Sequence, residues 1–111
     1  MADSVRVVAL SGDLTVETCR DTLGMIREAL IESPTVVIDV NKIRTVDLSF
    51  VHVLYAAKKW ACRNGKKLEL TGEVADEVAG SLCAGGFISD RVNDGKELED
   101  QLLDFSCGES D

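Results

Sequence analysis

The chain has 111 residues, is 45% hydrophobic with a single proline, and carries a formal net charge of −8. One domain of that length buries about 65% of its unfolded surface; the composition excludes a disordered chain, and the acidic balance excludes nucleic-acid binding, because it repels phosphate backbones. No apolar run approaches the ~20 residues that cross a bilayer, and the N-terminus MADSVRVVAL lacks the basic start and cleavage site of a leader, so no membrane insertion and a cytoplasmic location are expected.

Ser4 to Leu10 (SVRVVAL) reads as a strand, followed by a turn at Ser11-Gly12-Asp13. Thr15 or Asp13 then caps a helix whose start is favoured by Glu17 and Asp21. Val16, Cys19, Leu23, Ile26 and Leu30 form its apolar stripe, with Arg20, Arg27 and Glu28 on the other side, and Ser33-Pro34 ends it. Val36-Val37-Ile38-Asp39-Val40 is a β-branched run suited to a central strand covered on both faces. A loop, Asn41 to Arg44, follows. From Phe50 the period becomes helical: Phe50, Leu54, Ala57 and Ala61 share one stripe, and Asn64-Gly65 stops the helix.

Lys67 to Thr71 starts another strand. Strand, helix and strand in this order imply a right-handed crossover between parallel strands. Thr71-Gly72 closes that strand, and Val74, Val78 and Leu82, with Ala75 and Ala79, mark a third helix ending at Gly85-Gly86. Phe87-Ile88 is expected as a small edge strand and Asn93-Asp94-Gly95 as a turn. Leu98, Leu102 and Phe105 give a last, acid-rich helix. The sum is a single α/β domain, residues 1–111, with a core of about 4–106 and a frayed tail of 107–111. Its expected sheet is mixed and four- to five-stranded, packed with about four helices.

The chemistry is sparse. Cys19, Cys62, Cys83 and Cys107 contain no CxxC pair, and the chain has one histidine, so no metal site is expected. Cys19 and Cys62 read as small core-like residues. Lys58, Lys59, Arg63, Lys66 and Lys67 gather five of the twelve basic residues without an intervening acid. They read as a solvated helix end whose cations suit the dipole, or as a surface for an acidic partner. No Walker or Rossmann phosphate loop occurs. Asp47, Ser49 and His52 sit close enough for a hydrolytic set, but no glycine elbow or second oxyanion donor accompanies them. The expectation is a non-enzyme without cofactors.

Interest centres on Thr45-Val46-Asp47-Leu48-Ser49, where the chain starts its second helix. Asp47 and Ser49 are both good N-cap types, and a helix N-terminus can also hold an anion. Opposite the apolar stripe lie His52, Tyr55, Lys59 and Arg63. Tyr, His and a cation beside an apolar Leu48 suit a protein contact. The candidate partner-binding residues are Asp47, Leu48, Ser49, His52, Tyr55 and Lys59. Binding of a small ligand or nucleotide at the helix start is the alternative.

At these residues the chain resembles the STAS domain of bacterial anti-sigma-factor antagonists. Ser11-Gly12-Asp13-Leu14 is similar to the family's first signature, VVIDVNKIRTVDLSFVHVLYAAKKWACRNGKKLEL to its central block, and Gly86-Phe87 to the Gly-Leu after its third helix. The resemblance spans about Ser4 to Leu103. It implies a non-enzymatic α/β domain in signalling or transcription regulation, binding a partner such as a serine kinase that is also an anti-sigma factor. A two-component or chemotaxis protein, or a transport complex with this chain as its cytosolic subunit, are further settings. The family's phosphate acceptor directly follows the aspartate, and here that position is Leu48, without a hydroxyl. Ser49 matches the second serine and is the candidate phosphorylation site, expected instead to be held as a cap. Phe50 replaces the family's glycine. The family often begins with an additional edge strand; only three residues precede Ser4, so an open sheet edge and a homodimer through it are also expected.

Overall fold

Residues 5–103 are described in the computed structural model. Their elements run β1 (Val5–Leu14), α1 (Cys19–Glu32), β2 (Thr35–Val46), α2 (Leu48–Arg63), β3 (Lys67–Thr71), α3 (Asp76–Ala84) and α4 (Gly95–Leu102). The sheet has the order β1-β2-β3 and both pairings are parallel. The central place of VVIDV and the crossover to β3 are as the periodicity implies. The mixed sheet of four to five strands is not found: the described residues hold three parallel strands and four helices.

Burial alternates along each strand, which defines the two faces of the sheet. Val8, Leu10, Val36, Ile38, Val40, Leu68 and Leu70 are buried, while Val5, Val7, Lys67, Glu69 and Thr71 are exposed and Val37 and Asp39 half-buried. The first set packs with Ile26 and Leu30 of α1 and Phe50, Leu54, Ala57 and Ala61 of α2 in one core. β2 is therefore central without being covered on both faces. Period-2 alternation wins over the reading of VVIDV as a continuously buried run.

Two expected loops are strand. β1 continues through Ser11-Gly12-Asp13 and β2 through Asn41 to Arg44, and beyond the end of β3 they pair as a two-stranded ribbon. Register shifts between Ala9 and Ser11, and between Gly12 and Asp13, leave additional residues on β2, so the ribbon is bulged and twisted. Gly12, on β1 at the second shift, has φ 77°, a left-handed conformation that glycine adopts at little cost. Gly65 and Gly86, with φ 68° and 80°, follow α2 and α3 as their helix-stop signals require.

Phe87-Ile88 forms no strand, although Ile88 is buried in the core. The outer edge of β3 is closed by α4 instead. The Gly95 amide donates to the Gly72 carbonyl (2.7 Å), and the Leu70 amide donates to the Glu99 carboxylate (3.0 Å). Asn93-Asp94-Gly95 is not a free turn: Asp94 caps α4 through the Glu97 amide, and Gly95 is its first residue. Among the described residues no strand pairs with the outer edge of β1. Phe105 and the expected tail lie outside the described residues.

Candidate partner-binding site

The ribbon carries the junction on its end. Asp13 pairs with Thr45 and Leu14 with Val46, and the Asp47 amide extends the ladder by donating to the Leu14 carbonyl (3.3 Å). Asp13 fastens the two strands. It accepts from the Arg44 guanidinium (3.1 Å) and from the Thr45 hydroxyl (2.7 Å). These bonds, Arg44 first and Thr45 second, hold its carboxyl below the usual carboxylate range, and the same pairing raises Arg44. Neither Asp13 nor Thr15 therefore caps α1. Its N-cap is Thr18, without a side-chain capping bond. The Thr18 hydroxyl donates into the preceding loop, to Asp13 or Thr15 carbonyls, and accepts from the Thr15 amide.

Asp47 caps α2, with extended backbone at φ −135°. One carboxylate oxygen accepts from the Ser49 amide (2.9 Å) and the other from the Val16 amide (3.2 Å). A single side chain thus ties the β1–α1 loop to the start of α2. Ser49 takes part through its amide, not its hydroxyl, so the expectation that its oxygen is held as a cap is corrected. Asp47 stands first and already fills the role.

The outward stripe of α2 is where the apolar periodicity places it. Phe50, Val51, Val53, Leu54, Ala57 and Ala61 are buried, which leaves Leu48, His52, Tyr55 and Lys59 exposed and Ser49 half-buried. Leu48 is 50% and Tyr55 39% exposed. Val16, expected in the buried stripe of α1, is 68% exposed. The helix begins only at Cys19, so Val16 belongs to the loop and stands beside Asp47 as a second apolar residue of the junction. The signal was present: Thr18, three residues before Asp21, has the spacing of a capping pair and marks the later start.

Asp47 faces backbone amides rather than His52, and its carboxylate occupies the helix N-terminus that an anionic ligand would need. Among the described residues no group of three His, Cys, Asp or Glu side chains is arranged to hold a metal, and no helix is long and apolar enough to cross a membrane. Open depressions lie elsewhere, one lined by Asn41, Thr71, Gly72, Glu73, Asp94 and Lys96 and another around Phe87 and Gln101.

Comparison with solved structures finds the same fold in a sulfate transporter family protein from Wolinella succinogenes. The match has a TM-score of 0.58 at 22% identity, over 77% of this chain and 69% of that one. No curated protein matches significantly. The sequence model of the family described as "Mlab, STAS domain" matches residues 1–87. That span takes in the Ser-Gly-Asp-Leu signature, the central block and the Gly-Phe after α3, and stops short of α4. Its length, together with the α/β arrangement and the Asp47-capped α2, is decisive: the chain belongs to the STAS domain family.

Proposed function

We propose that the chain is a non-enzymatic regulatory module that binds a partner protein through the start and outward face of α2. The observation that carries this reading is the exposure of Leu48 and Tyr55 on a stripe otherwise made of His52, Lys59 and the capping Asp47, with the exposed Val16 hydrogen-bonded through its amide to Asp47. Large apolar groups framed by polar ones form the core and rim of a contact. Leu48 stands where the family's switch residue carries a hydroxyl. Ser49 lies against Asp47, whose charge repels a phosphate there. Binding is therefore constitutive, governed by abundance or by the state of the partner. Signalling through a kinase-type ATPase leads, and the transport setting stands beside it because a sulfate transporter family protein shares the fold, which by itself does not choose.

The test is an amide-shift map of the labelled protein titrated with a histidine-kinase-like ATPase domain and, separately, with cytosolic domains of a transport complex. Shifts over Val16, Asp47 to Ser49, His52, Tyr55 and Lys59 are expected with the true partner. Leu48→Ser and Tyr55→Ala should each weaken binding by roughly 1–3 kcal/mol while leaving the fold intact. Incubation with the ATPase and ATP should add no phosphate to the intact mass. Shifts confined to α4, or saturable nucleotide binding by the protein alone, would overturn the reading.

A further inference from the structure

β1 offers a regular strand edge. From Val7 to Leu14 exposed and covered residues alternate without a break, and the additional residues at the register shifts lie on β2. Its outer amides and carbonyls meet no strand among the described residues. Neither proline nor lysine occurs from Val5 to Leu14, although these are the residues that commonly guard an edge. Both charges on β1 are neutralised inside the protomer, Arg6 by Glu32 and Asp13 by Arg44. Such an edge accepts another strand.

α1 indicates which strand fits. Its two ends are tied to those of β1: the Thr18 hydroxyl lies 3.1 Å from the Asp13 carbonyl, and Arg6 donates to the Glu32 carboxylate. The helix therefore runs antiparallel along β1. Met25, midway between Thr18 and Glu32, comes level with Ala9 and Leu10, midway between Asp13 and Arg6. Asp21, Met25 and Glu32 follow one another at i, i+4 and i+11, on one stripe of the helix. Since Glu32 meets Arg6 on the edge strand, this stripe runs along the open edge, away from α2. Met25 is 48% exposed. Asp21 is exposed and belongs to none of the ion pairs among the described residues.

We propose that β1 pairs antiparallel with β1 of a second copy of this chain, about a two-fold axis at Ala9, joining two three-stranded sheets into one. Val8 of each copy then lies opposite Leu10 of the other, Arg6 opposite Gly12, Val7 opposite Ser11 and Val5 opposite Asp13. This register uses the whole of Val5 to Asp13 and sets no like charges across the strands. A two-fold contact brings the residues at its axis against themselves. Here those are small or apolar: Ala9 in the strand and Met25 above it. Arg6 of each copy, facing Gly12 of the other, comes beside the other's Asp21, which stands level with Ser11 and Gly12. The symmetry thus supplies an opposite charge on each side of the axis. The helix stripe widens the contact beyond the strand edge, toward the about 1,000 Å² that a specific interface buries, so micromolar affinity is expected. In the order β1-β2-β3 the far side of the sheet carries α2, and the dimer presents two partner faces. That consequence rests on the proposed function; the dimer itself is tested without a partner.

Sedimentation equilibrium of the full-length protein, from low micromolar to millimolar concentration, should show the mass rising from one chain to two. In a mixture of labelled and unlabelled protein, isotope-filtered spectra should give contacts between chains from Val8 to Leu10 and from Met25 to Met25. Hydrogen exchange of the outward amides of β1 should slow as concentration rises. Met25→Glu sets two carboxylates at the axis, and Asp21→Arg sets a cation beside Arg6. Each should raise the dissociation constant about tenfold or more while the circular dichroism spectrum stays that of the parent. Ile31→Glu, at a position 62% exposed and off that stripe, should leave the constant unchanged. A single-chain mass throughout, or contacts between chains through Leu48 or Tyr55, would overturn the proposal. So would β1 amides protected equally at every concentration, since the chain itself would then cover the edge. A Met25→Glu dimer as tight as the parent would overturn the axis at Ala9.

Discussion

Asp47 shows how one residue can make a site and hold it in place. Its carboxylate accepts from the Ser49 and Val16 amides, so the loop before α1 and the start of α2 move together. Asp47→Ala removes both acceptors and should cost about 1–2 kcal/mol, read as a lower urea midpoint at unchanged slope. Asp47→Asn keeps one acceptor oxygen but turns an NH2 toward one of the two amides, so an intermediate loss is expected. A neutral Ala variant would show that the cap contributes nothing. Asp13 answers to pH. Its folded pKa is lowered by Arg44 and then Thr45, so its contribution is fully present above the unfolded value of about 3.9 and is lost as pH falls through the folded one. In Asp13→Asn the urea midpoint, followed over a pH series, should fall less steeply on the acid side. Parallel acid limbs would remove Asp13 from the account.

Among the elements, α4 closes an edge that would otherwise offer free strand groups. Its fit depends on Gly95: a Cβ there would meet the Thr71 amide nitrogen and lie 2.7 Å from the carbonyl carbon of Leu70. Backbone cannot swing aside as a long side chain can. Gly95→Ala should therefore destabilise by about 1–3 kcal/mol and speed hydrogen exchange at the Leu70 amide, which Glu99 protects. Unchanged exchange there would mean that α4 does not seal the edge. This closure was not legible in the sequence, because it rests on the Gly95 amide meeting the Gly72 carbonyl and on the Glu99 side chain meeting a backbone amide 29 residues away. The ribbon was missed for a related reason. Ser11-Gly12-Asp13 and Asn41 carry turn chemistry, and local chemistry does not distinguish a turn from a bulged strand whose partner lies about 30 residues off. The outward stripe of α2 was legible throughout, since Phe50, Leu54, Ala57 and Ala61 leave only one side for His52, Tyr55 and Lys59. Leu48 is exposed and Ser49 half-buried at the start of α2, where Asp47 alone is the cap, and the exposure of Val16 follows from the later start of α1 at Cys19.

The described residues are asymmetric across the sheet, and two β-branched positions test that asymmetry. Ile38 on β2 is fully buried, among the largest side chains of the core, whereas Val7 on the neighbouring β1 is 62% exposed. The two strands are in register, with Val8 opposite Ile38 and Val7 opposite Val37, so backbone pairing is common to both sites and only the face differs. Ile38→Asp places an unpaired carboxylate in a dry interior, which costs several kcal/mol out of a total stability of roughly 5–15 kcal/mol for a domain of this kind. It should unfold the protein or leave it without a cooperative transition by circular dichroism. Val7→Asp keeps its charge in water and should stay within about 1 kcal/mol of the parent. The pair also separates fold from function. Val7 is exposed on the sheet face away from the core, and changing it leaves the junction of Asp47, Leu48 and Val16 untouched, so Val7→Asp should bind the partner with parental affinity. Equal stability of the two variants would mean that both faces are equally buried or equally wet, and the placement of the core on one side would fail with it.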